Sequence, residues 1–119
     1  KSDETIKKRF GKVMEFEIDN CDCATFIEEK KREATNSIKS YESMITDCRW
    51  LETQLEGLKR IFNIEKNDFK ERRLDDFIQQ LEKRRSDAIN SKKREEDYLN
   101  TYNEWETKLN QQIKENEPK

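Results

Sequence analysis

Residues 41–62 read "YESMITDCRWLETQLEGLKRIF". Apolar side chains fall at Tyr41, Met44, Cys48, Leu51, Leu55, Leu58 and Phe62, with gaps that alternate between three and four. A helix turning once every 3.6 residues stacks such positions into one stripe, and the regular alternation is the seam of a coiled coil. Upstream, Ile27, Ala34 and Ile38 continue the series, and Ile45 and Trp50 widen it. Thr25 followed by Glu28 has the spacing of a capping box, so the pattern predicts a helix over about residues 25–62. Gly57 lies inside it at a cost of about 1 kcal/mol relative to alanine.

A second series follows: Leu74, Phe77 with Ile78, Leu81, Ala88, Tyr98 with Leu99, Tyr102, Trp105, Leu109 and Ile113. Asp68 followed by Glu71 reads as the cap of this helix, with acidic residues at its start, and Pro118 marks the far end. Its middle, "EKRRSDAINSKKREED" at 82–97, is poor in apolar residues but holds no glycine or proline. One continuous helix is the expectation over two.

Between the two series lies "RIFNIEKNDFKERR", residues 60–73. A reversal near 63–67 makes the helices antiparallel and sets Leu58 against Leu74, Leu51 against Leu81, Met44 against Ala88 and Ile27 against Trp105. The expected fold is therefore all-α: a long antiparallel helical hairpin over residues 23–119. Its core would be Tyr41, Met44, Cys48, Leu51, Leu55, Leu58, Leu74, Ile78, Leu81, Trp105 and Leu109. Such a hairpin has one seam, while Ile45, Trp50, Phe77 and Ile89 lie beside it and need another partner. Dimerisation into a multi-helix bundle, or a third helix folding back, would supply one. Residues 1–22 form a separate N-terminal segment with two readings. Ile6, Phe10 and Val13 fit a short helix, whereas Met14, Phe16 and Ile18 alternate with acids as in an extended strand.

Composition agrees with long amphipathic helices. The 119 residues are 31% hydrophobic and 44% charged, yet 25 basic and 27 acidic residues nearly cancel to −2, with two glycines and one proline. Disorder normally comes with high net charge and few aromatics, whereas this chain carries six Phe, three Tyr and two Trp. No run approaches the roughly 20 apolar residues that span a bilayer. Lys1 and Lys119 as termini fit a piece of a longer chain. Three cysteines without disulfide-scaffold spacing fit reduced thiols in the cytoplasm, with the nucleus as the alternative compartment.

Nothing in the chain suggests catalysis. There is no histidine and no glycine-rich phosphate loop, and no metal or cofactor is expected. The expected role is a non-enzymatic coiled-coil scaffold or protein–protein interaction and oligomerisation module, with itself and other proteins as partners. The alternative is a peripheral membrane module that reads anionic lipid through basic faces. Residues 70–94 carry nine basic and five acidic side chains, and residues 95–119 three and seven. Mutual charge complementarity across the hairpin accounts for most of this contrast. The basic clusters lack interleaved aromatics, which argues against nucleic acid. The candidate docking residues are those of the hairpin tip: Arg60, Phe62, Lys66, Phe69, Lys70, Arg72 and Arg73.

Overall fold

A computed structural model describes residues 23–115; the N-terminal segment 1–22, with its two readings, lies outside them. Two helices account for nearly all of this length, α1 (Cys23–Ile64) and α2 (Asp68–Glu115). The fold is all-α, a helical hairpin. α2 runs unbroken through 48 residues, including the apolar-poor stretch 82–97. α1 starts two residues before Thr25, so Thr25 stands in the first turn rather than at the cap.

The reversal is compressed into residues 65–67. The Asn67 amide donates to the Phe62 carbonyl at 2.8 Å and the Lys66 amide to the Asn63 carbonyl at 3.1 Å. These two bonds form a Schellman motif, which places Lys66 in the left-handed region at φ 55°. The next residue starts α2, because the Lys70 amide donates to Asn67 Oδ1 at 3.2 Å. Asn67 is therefore the cap of α2, and Asp68 occupies its first turn instead of capping it. Asn67→Ala should cost about 1 kcal/mol. Lys66→Gly should add up to about 1 kcal/mol by removing the left-handed strain on a side chain. Urea melts followed by circular dichroism read both.

Packing divides the chain into two compact units. The described part of the terminal unit joins residues 23–36 to 95–115. Its core is Phe26, Ile27, Trp105 and Leu109, with Cys23 and Tyr102 packed against them; Ile27 is 1% exposed. The Tyr102 ring meets Trp105 edge-on at 5.5 Å. Lys31 reaches across to Glu106 at 3.0 Å. Desolvation raises the Tyr102 pKa above 10, with Glu95 adding to it. The neutral phenol is thus favoured in the folded state, and its contribution to stability is lost as pH climbs past that value.

The turn unit, Ser37–Arg94, pairs the rest of the helices. Its buried residues are Cys48 on α1 and Leu74, Ile78 and Ala88 on α2, flanked by half-buried Tyr41, Ile45, Leu55 and Leu81. Three ion pairs cross the seam: Lys59 with Asp75 at 2.6 Å, Arg85 with Glu52 at 2.8 Å, and Lys92 with Glu42 at 3.5 Å. Burial and ion pairs together fix the register. Ile45 faces Ala88, Cys48 faces Arg85, Glu52 faces Leu81, Leu55 faces Ile78 and Lys59 faces Leu74.

This differs from the expected pairing by one residue on α1. Two heptad stripes share Tyr41, Cys48, Leu55 and Phe62. One continues through Met44, Leu51 and Leu58, the other through Ile45, Glu52 and Lys59. The hairpin closes on the second. In consequence Met44 (47% exposed), Leu51 (41%) and Leu58 (40%) stand beside the seam instead of in it. The cause lies on α2, whose heptad brings Arg85 and Lys92 to the seam. Turning α1 by one residue would bring those three apolar side chains to the seam and move Glu52 and Lys59, the partners of Arg85 and Asp75, away from it.

Gly57 points away from the seam. A Cβ there would meet only the Arg60 guanidinium, at 3.7 Å. Gly57→Ala should therefore stabilise the hairpin by about 1 kcal/mol, seen as a higher urea midpoint with unchanged slope.

Candidate interaction surface

The turn unit has two unlike sides flanking its seam. One side carries Glu42, Arg49, Glu56, Asp75 and, two heptads after Asp75, the exposed Ile89 (40%); Glu42 and Asp75 are tied up in cross-helix ion pairs. The opposite side carries Met44, Leu51 and Leu58 at intervals of seven, joined by Ile61 from α1 and by Phe77 from α2. By the register Phe77 lies within one turn of the level of Leu58. Large apolar side chains left exposed concentrate in this unit; in the terminal unit, among the described residues, only Tyr98 is comparably exposed. In an antiparallel pair the residues flanking the seam on one side come from both helices, so the five form a single stripe.

The tip residues occupy a different place. Arg60, Lys66, Lys70, Arg72 and Arg73 are all exposed, and none forms an ion pair with a carboxylate among the described residues. Lys70 Nζ lies 5.1 Å from the centre of the Phe62 ring, and the Arg73 guanidinium lies 5.8 Å from that of Phe69. Phe62 is half-buried and closes the end of the seam. Phe69 does not: it is 65% exposed, beside Ile64 at 80%. Both point outward by helical phase: Ile64 follows Leu55 by nine residues and Phe69 precedes Leu74 by five, which sets each on the face away from the seam.

An open groove of about 380 Å³ runs along the side of the tip, lined by Glu56, Lys59, Arg60, Asn63, Ile64 and Glu71. Its charges are largely satisfied from within. Asn63 donates to Glu71 at 3.2 Å, and the hydrogen bond from Lys59 to Asp75 raises the lysine pKa.

No known protein family, curated protein or solved structure matches the chain. What the surface can do must therefore come from its own chemistry. Among the described residues no polar or charged side chain is buried, and no three His, Cys, Asp or Glu side chains gather to hold a metal. No described helix is long and apolar enough to cross a membrane.

Of the residues expected to form the core, Cys48, Leu74, Ile78, Trp105 and Leu109 are buried, and Tyr41, Leu55 and Leu81 are half-buried in their seams. Met44, Leu51 and Leu58 come together outside it. The heptad reading missed Glu52, Lys59, Arg85 and Lys92 as seam residues. The signal was present: Arg85 and Lys92 sit in step with Ile78, Leu81 and Ala88, so their partners on α1 had to be acids.

Proposed function

We propose that the chain is a non-enzymatic coiled-coil scaffold, an interaction and oligomerisation module built on a helical hairpin. One observation carries this reading: the turn unit leaves an apolar stripe of Met44, Leu51, Leu58, Ile61 and Phe77 uncovered, while its other flank is mostly polar, with Glu42 and Asp75 in ion pairs. Uncovered apolar stripes of this kind on helices mark association surfaces. Sedimentation velocity over a concentration series tests it directly. The expected result is a reversible shift from monomer towards twice the monomer mass. A single monomeric species up to high concentration would overturn self-assembly.

A second reading is supported by the tip, where Ile64 and Phe69 stand exposed among five cations that have no carboxylate partner among the described residues. That combination suits peripheral contact with anionic lipid, whose attraction is worth about 1 kcal/mol per cation near the surface. Vesicles of mixed phosphatidylserine and phosphatidylcholine should then pull the protein down at low salt and release it at high salt. Changing Lys66, Lys70, Arg72 and Arg73 together to Gln should abolish this while leaving helicity unchanged. Co-sedimentation unaffected by those four changes would remove the tip from consideration.

A further inference from the structure

We propose that the hairpin meets an anionic bilayer end-on, with Ile64 and Phe69 as the two side chains that enter it. This rests on the lipid reading of the tip above and adds the inserting residues and the orientation. Ile64 is the last residue of α1 and Phe69 the second of α2, so both stand within about 3 Å of the reversal along the helix axes. Each lies on the face of its helix turned away from the seam, so the two point to opposite sides of the hairpin. A bilayer laid along either side touches only one of them. A surface across the end of the hairpin touches both.

The cations are layered behind these two residues. Lys66 belongs to the reversal itself, and Arg60, Lys70, Arg72 and Arg73 follow within six residues of it, about 9 Å. That depth matches an interfacial segment, whose apolar side sinks roughly 5–10 Å while its basic groups stay among the headgroups. The Arg73 guanidinium, 5.8 Å from the centre of the Phe69 ring, is placed to stay at the phosphates while the ring passes below them. Charge then selects the end over the sides. The next segments along the hairpin, 50–58 and 74–82, hold no cation and five carboxylates: Glu52, Glu56, Asp75, Asp76 and Glu82. This acidic belt starts about 10 Å behind the reversal, roughly a Debye length at physiological salt. Side-on docking presses the belt against an anionic surface, whereas end-on docking holds it clear. The tip has acids of its own: five cations against Glu65, Asp68 and Glu71 leave +2 over residues 60–73. Insertion is therefore shallow and salt-sensitive.

Two measurements on vesicles of phosphatidylserine and phosphatidylcholine test the geometry. In the first, the cysteines stay native and affinity is read by co-sedimentation. Ile64→Ser and Phe69→Ser should each weaken binding about tenfold, with helicity unchanged because both side chains are exposed. Glu65→Gln should tighten it about fivefold. In the second, Cys21, Cys23 and Cys48 are changed to alanine, helicity is checked by circular dichroism, and one new cysteine at a time carries an environment-sensitive dye. Dyes at Ile64→Cys and at Phe69→Cys should both shift to the blue on vesicle binding, and a dye at Leu51→Cys, beside the acidic belt, should not. Weakening by only one of the two serine changes, or a blue shift at Leu51→Cys, would show side-on docking and overturn the proposal while leaving lipid binding intact. Vesicle binding untouched by either serine change would overturn insertion. A native chain that does not co-sediment even at low salt would overturn the lipid reading and this orientation with it.

Discussion

Trp105→Ala is expected to lower the unfolding free energy by about 3–5 kcal/mol, the range for losing a large buried aromatic. Trp105 joins Phe26, Ile27 and Leu109 in the only cluster of buried residues in the terminal unit's described part, with Tyr102 against its edge. No neighbouring side chain is large enough to refill its volume, so the cavity adds to the lost burial. Whole domains are stable by only about 5–15 kcal/mol, which makes this a large share. Urea unfolding monitored by circular dichroism measures the loss. Fluorescence adds an independent check, because Trp50 is exposed and Trp105 is buried. The variant should lose the blue-shifted part of the native emission. A change below about 1 kcal/mol would mean that Trp105 does not hold the helices together.

The second large effect is a contrast between neighbours on α1. Leu55 belongs to both heptad stripes and faces Ile78, which is buried; Leu51 belongs only to the stripe left outside the seam. Leu55→Asp places a carboxylate against Ile78 and should cost roughly 3 kcal/mol. Leu51→Asp should change hairpin stability by less than about 1 kcal/mol at dilution, yet abolish the concentration-dependent rise in sedimentation coefficient. Thermal melts at low concentration, paired with sedimentation at high concentration, separate the two quantities. Equal loss of stability in both variants would show α1 turned by one residue, with Met44, Leu51 and Leu58 inside.

That contrast also marks how far the chain could be read without its fold. The alternating gaps from Tyr41 to Phe62, and the series from Leu74 to Leu109, depend only on helical periodicity, so two long helices followed from them directly. The reversal was equally legible, since no other stretch breaks both series. The unbroken course of α2 through residues 82–97 was legible for a negative reason: nothing there resists a helix. Phe62 is half-buried at the end of the seam, whereas Phe69, five residues before Leu74, falls on the outer face of α2 and stays exposed.

What the sequence determined by itself was thus the helical state, the point of reversal and the shared seam positions Tyr41, Cys48, Leu55 and Phe62. Only the tertiary structure decided between Ile45, Glu52 and Lys59 and their neighbours Met44, Leu51 and Leu58, because either set completes a heptad on α1. The decision belongs to α2. Arg85 and Lys92 come to the seam with the same period as Ile78 and Ala88, and Asp75 lies close beside it, so α1 must present Glu52, Glu42 and Lys59 to meet them. A stripe on one helix can be counted from its own residues. Which side turns inward depends on the helix across from it, where Arg85 and Lys92 meet Glu52 and Glu42, and Met44, Leu51 and Leu58 are left exposed.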